Sequence, residues 1–97
     1  MELEEIPGIL RENMEHFRRE YGVLRMAVFG SRVRGDHTED SDLDVMADLE
    51  KPIGLLEFIR LAYEIEELVG IKVDLVTPSM VDKPLLKESV MEDVVYV

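Results

Sequence analysis

Helical and strand periods alternate along this chain. From about Pro7 to Tyr21 the apolar residues Leu10, Met14, Phe17 and Tyr21 recur at helical spacing, and Gly22 follows as a C-cap, so one amphipathic helix is predicted. Val23 to Phe29 is rich in apolar and branched residues, bounded by Gly22 and Gly30, and reads as a mostly buried strand. A polar stretch, Ser31 to Ser41, leads into Asp42 to Ala47, where acidic and apolar residues alternate as on a second strand. After Pro52 to Gly54, the residues Leu55, Phe58, Leu61, Ala62, Ile65, Leu68 and Val69 form the apolar stripe of a long helix that stops at Gly70. Ile71 to Thr77 alternates again and Pro78 ends it, which predicts a third strand with Asp74 at its centre. A short helix from Pro84 to Glu92, with Leu85, Leu86, Val90 and Met91 on one face, and an edge strand at Val94 to Val97 complete the expectation. The fold class is α/β (α+β).

Composition narrows the class. Ninety-seven residues correspond to one domain, spanning 1–97. With 46% hydrophobic and 34% charged residues the chain is globular in character. Eleven basic residues against 22 acidic give a net charge of −11, which disfavours general binding to phosphate backbones or anionic membranes. The absence of cysteine excludes disulfides, thiolate zinc sites and a cysteine nucleophile together. The acidic N-terminus is unlike a secretory signal, and no apolar run approaches the about 18 residues of a membrane span. A cytoplasmic protein is expected.

Two segments carry candidate chemistry. Asp42 and Asp44 stand at i and i+2, so on a strand they share a face, about 6 to 7 Å apart at the backbone, and form a plausible shelf for Mg2+. Asp74 is the natural third carboxylate, because an acid unpaired in the middle of an apolar strand is costly to bury. The plain alternative is a set of solvated acids on the face of a sheet. A calcium loop fails, since Val45 and Lys51 occupy the positions that require Gly and Glu. The second segment is Gly30-Ser31-Arg32-Val33-Arg34-Gly35, a glycine turn that offers amide donors to a phosphate. It is neither a P-loop nor a dinucleotide fingerprint, and it also reads as an ordinary strand-to-helix turn with Ser31 as N-cap. The only histidines, His16 and His37, are expected to be solvated rather than metal-bound.

Taken together the two segments are more specific. Gly30-Ser31, ten residues, then Asp42-Leu43-Asp44 resembles the Gly-Ser-x10-Asp-x-Asp signature of the DNA polymerase beta-like nucleotidyltransferases. The stretch Gly30 to Val45 looks especially like their minimal members, the antitoxin halves of HEPN/MNT toxin-antitoxin pairs, with Asp74 in Val-Asp-Leu-Val at the third acidic position. The resemblance implies a small mixed β-sheet flanked by helices and two Mg2+ ions held by Asp42, Asp44 and Asp74. It also implies that Gly30 and Ser31 contact the phosphates of ATP, and Arg34 is placed beside them. Larger members add an acceptor-holding domain that this chain lacks. The resemblance therefore implies transfer of AMP to a hydroxyl, a tyrosine's, on a partner HEPN RNase toxin, within a hetero-oligomer. An antitoxin that neutralises its toxin by contact alone is the alternative.

Overall fold

The computed structural model describes residues 5–81 and 94–97. The elements are α1 (Ile6–Glu12), α2 (Met14–Tyr21), β1 (Val23–Phe29), α3 (Ser31–Arg34), β2 (Leu43–Leu49), α4 (Leu55–Val69), β3 (Val73–Val76), a 3-10 turn (Pro78–Val81) and β4 (Val95–Tyr96). The expected short helix from Pro84 to Glu92 lies outside the described residues. The strands form one mixed sheet in the order β3-β2-β1-β4. β1 is antiparallel to both β2 and β4, whereas β3 runs parallel to β2, with α4 as the crossover between them. Among the described residues no helix is long and apolar enough to cross a membrane.

Strand alternation divides the sheet into two faces. Met26 and Val28 of β1, Leu43, Val45 and Ala47 of β2, and Val73 and Leu75 of β3 turn to one face and meet Ile6, Leu10, Phe17, Leu61, Ile65 and Val69 of the helices in one buried cluster. Tyr21 joins them, and its phenol is pushed up to about 12 by burial and by a hydrogen bond with Glu64. The opposite face carries rows of laterally paired residues. Asp74, Asp44 and Phe29 form one row, Val76, Met46, Ala27 and Tyr96 the next, and Asp48 with Arg25 a third. Arg25 Nε donates to Asp48 Oδ2 at 3.0 Å, and its guanidinium lies 5.8 Å from the centre of the Tyr96 ring, which ties β4 and β2 to β1.

Three expectations are corrected here. The first helix is two helices, because Asn13 interrupts it: its Nδ2 donates to the Ile9 carbonyl at 2.8 Å and takes over an acceptor that a continuous helix would use. Ile6 and Leu10 of α1 and Phe17 and Tyr21 of α2 are all buried in the core. β2 begins at Leu43 and runs on to Leu49, leaving Asp42 just ahead of the ladder. β3 is confined to Val73–Val76, and its first amide, that of Val73, donates to Glu66 Oε2 of α4 at 3.0 Å. In β1 a register shift between Val23 and Arg25 puts both Val23 and Met26 in the core with Leu24 exposed, which no simple alternation describes. The edge strand expected at Val94 to Val97 is found at Val95–Tyr96.

Candidate active site

β1 ends at Phe29, directly opposite Asp44, so the turn that follows begins beside the Asp44 side chain. That turn is Gly30, with φ 85° and ψ −159°. A Cβ at this position would overlap Asp44 Oδ2 and lie 2.9 Å from Asp44 Cγ. Gly30 is therefore required twice, by its positive φ and by the carboxylate that rests over it. Ser31 is the first residue of α3 and Gly30 is the N-cap, contrary to the ordinary-turn expectation that Ser31 caps the helix. The Gly30 carbonyl accepts from the Val33 and Arg34 amides, both at 3.0 Å, and the turn closes at Gly35.

The loop from α3 to β2 is tied back to this turn. Arg32 Nε donates to the Ser41 carbonyl at 2.9 Å. Ser41 Oγ accepts from the Thr38 amide at 2.9 Å, while the Ser41 amide donates to the Thr38 carbonyl at 3.1 Å. Arg32 and Ser41 thus fix the chain immediately before Asp42, a positioning role that spacing alone does not reveal. Arg34 Nε meets Asp36 Oδ2 at 3.2 Å, and the Arg34 charge also reaches Asp44.

Across β2, Asp44 pairs laterally with Asp74 of β3. Burial raises the Asp44 carboxyl from 3.8 to about 6, and the neighbouring Asp74 and Asp42 charges push in the same direction, as does a hydrogen bond with Asp74; Arg34 opposes them. Asp42 is half-buried ahead of β2. Asp74 is exposed rather than buried, because it lies on the sheet face away from the helices.

The donor chemistry suits a hard divalent cation, since positive charge relieves the crowding that raises the Asp44 carboxyl. Among the described residues, however, no three His, Asp or Glu side chains converge as a metal-holding group. The fit therefore rests on Asp44 and its lateral neighbour Asp74, with Asp42 adjoining. His16 stands partly exposed on α2, 3.3 Å from Glu64, and His37 is exposed in the loop after α3. A cavity of about 620 Å³ lies at the other end of β2, lined mainly by apolar side chains such as Ile53, Phe58 and Met80, and it contains none of these three acids.

Residues 10–97 match the nucleotidyltransferase domain family. The protein adenylyltransferase MntA of Thermococcus cleftensis is 44% identical over 95 residues, covering 98% of this chain and 95% of that protein. A solved structure described as a minimal nucleotidyltransferase is 34% identical, with a TM-score of 0.76 over 98% of this chain and 95% of the other. The MNT antitoxin complex with a tri-AMPylated HEPN toxin from Shewanella oneidensis shares the fold, with a TM-score of 0.66 at 15% identity, covering 94% of this chain and 70% of that one. The chain belongs to the nucleotidyltransferase domain family. Within it, this is a minimal nucleotidyltransferase whose relatives are protein adenylyltransferases.

Proposed function

We propose that this chain transfers AMP from ATP to a hydroxyl, that of a tyrosine, on a partner HEPN toxin, and thereby acts as its antitoxin. The observation that carries this is the Gly30–Asp44–Asp74 arrangement: a glycine turn lying directly under one acid of a laterally paired couple. In the reaction the hydroxyl oxygen attacks the α-phosphorus of ATP. A new phosphate ester bond forms, the bond to the β-phosphate oxygen breaks, and pyrophosphate leaves with that electron pair. Gly30 and Ser31, with Arg34 beside them, bind the phosphates. Asp74, exposed at the end of the acidic row, takes the proton of the attacking hydroxyl. Asp42, Asp44 and Asp74 would hold Mg2+, two ions in this reading, which when bound supplies charge stabilisation to the phosphates. A reaction that consumes ATP fits a cytoplasmic protein.

The contact-only antitoxin has one observation on its side, that three acids do not converge among the described residues. The experiment that separates the two is incubation with ATP, Mg2+ and the purified HEPN partner, read by intact mass. Whole AMP increments on the partner are expected with wild type, and their loss in Asp42→Asn and in Asp44→Asn with folding retained. An unmodified partner that is nevertheless silenced by wild type would establish neutralisation by contact.

A further inference from the structure

Asp42 stands one residue ahead of β2, where strand pairing does not hold it. Its direction is set all the same, because the peptide units on both sides of it are anchored. The Leu43 amide, which belongs to the Asp42–Leu43 peptide, donates to the Lys72 carbonyl at 2.8 Å. The Ser41 carbonyl, which belongs to the Ser41–Asp42 peptide, accepts from Arg32 Nε at 2.9 Å. Each peptide unit is planar, so holding the two that flank a residue holds its φ and ψ, and with them the direction of its side chain. The first anchor is backbone to backbone and comes with the parallel pairing of β2 and β3. The second depends on a single side chain, that of Arg32.

Both ends of that bond are firm. The Ser41 amide donates to the Thr38 carbonyl and the Thr38 amide to Ser41 Oγ, which closes the turn that carries the acceptor. On the donor side, the Gly35 and Asp36 amides both donate to the Ser31 carbonyl, at 2.9 and 3.2 Å, and close α3. α3 itself starts at Gly30, which is packed against the Asp44 carboxylate. Arg32 therefore links two acids of the site: its helix begins beneath Asp44, and its side chain ends on the peptide before Asp42. Arg32 is half-buried and, among the described residues, makes no ion pair. Its partner is a neutral carbonyl. We propose that Arg32 is a positioning residue that sets Asp42 against Asp44 through the Nε–H bond to Ser41, and not through the charge of its guanidinium. The inference rests on the proposed function only in taking Asp42 and Asp44 as metal-holding acids.

Glutamine separates bond from charge, because its Nε2 is attached to Cδ, as the arginine Nε is, and so presents a neutral donor at the same reach. The test compares wild type with Arg32→Ala, Arg32→Gln and Arg32→Lys in two measurements. One is AMP transfer to the HEPN protein at saturating Mg2+, with kcat and KM for ATP; the other is Mn2+ binding to the chain alone, followed by electron paramagnetic resonance. Arg32→Ala should lower kcat by about tenfold or more, since small misplacements of a reacting group are costly, with KM for ATP little changed and Mn2+ bound more weakly. Arg32→Gln should recover most of both losses. Arg32→Lys keeps the charge but carries its donor one bond further out, and should recover less. In an Asp42→Asn background, Arg32→Ala should weaken Mn2+ binding no further, because it acts through that carboxylate. Recovery by lysine but not glutamine would overturn the proposal in favour of charge, and a raised KM with unchanged kcat in favour of a direct phosphate contact. Wild-type behaviour of Arg32→Ala, or additive losses with Asp42→Asn, would also overturn it. If wild type binds Mn2+ but transfers no AMP, the proposed function falls, while the Mn2+ affinities still decide the role of Arg32; a wild type that binds no Mn2+ overturns that role as well. Should Arg32→Ala not fold, Arg32→Met, which keeps the aliphatic stem, takes its place.

Discussion

Asp44 is the residue on which the site turns. It rests over Gly30, pairs with Asp74 and carries a pKa raised from 3.8 to about 6. Between those values the folded chain binds the Asp44 proton more tightly than the unfolded chain does, so this group's contribution to stability falls as pH rises from about 4 to 6 and stays lost above that. Asp44 is only half-buried, and solvent screening limits the effect to about 1 kcal/mol. Unfolding measured from pH 4 to 7.5 in EDTA should therefore show wild type losing stability relative to Asp44→Asn across that window. Parallel pH profiles would show that the crowding of acids costs the folded state nothing.

At the scale of elements, what fixes Asp74 is the junction of α4 with β3. The Glu66 carboxylate accepts from the Val73 amide one residue before Asp74, and the Lys72 carbonyl accepts from Leu43 at 2.8 Å one residue before Asp44. Removing Glu66 strands a sheltered amide, at a cost of about 1 to 2 kcal/mol. In a domain of this size that lowers Tm by roughly 5 to 15 °C. Glu66→Ala is expected to show that loss in a thermal melt and Glu66→Gln to recover most of it, because the amide oxygen still accepts. Equal melts for both variants would mean that the bond contributes through charge alone. Much of this level was legible beforehand: β1, α4 and the Gly70 stop follow from apolar period and punctuation. The break at Asn13 was not, because it depends on one side chain taking over the acceptor at Ile9.

Over the whole molecule, a net charge of −11 and a crowded acidic row favour stabilisation by cations, and in the proposed reading ATP adds to this only when it arrives with the cation. A ligand at ten times its Kd adds about 1.4 kcal/mol by mass action. ATP and Mg2+ together should raise the wild-type melting midpoint by several degrees, ATP alone much less, and Asp42→Asn should abolish the joint effect. A shift of equal size in Asp42→Asn would remove that residue from the proposed metal-nucleotide site.

By itself the sequence determined what is local. Residue spacing identified the strands and the long helix, and the motif from Gly30 to Asp44 carried the resemblance to the nucleotidyltransferases, because turn residues and strand acids a dozen positions apart are read along one stretch of chain. Tertiary structure decided which of those residues meet. The parallel crossover through α4 sets Asp74 beside Asp44, thirty positions away, since periodicity assigns a side chain to a face but says nothing of strand order. The contact of Gly30 with Asp44, the shift in β1 and the bond from Arg32 to Ser41 depend likewise on register between strands and on loop closure. So does the exposure of Leu55, a member of the expected apolar stripe, and of Leu56: an apolar residue on a helix carries no mark of whether its own chain will cover it.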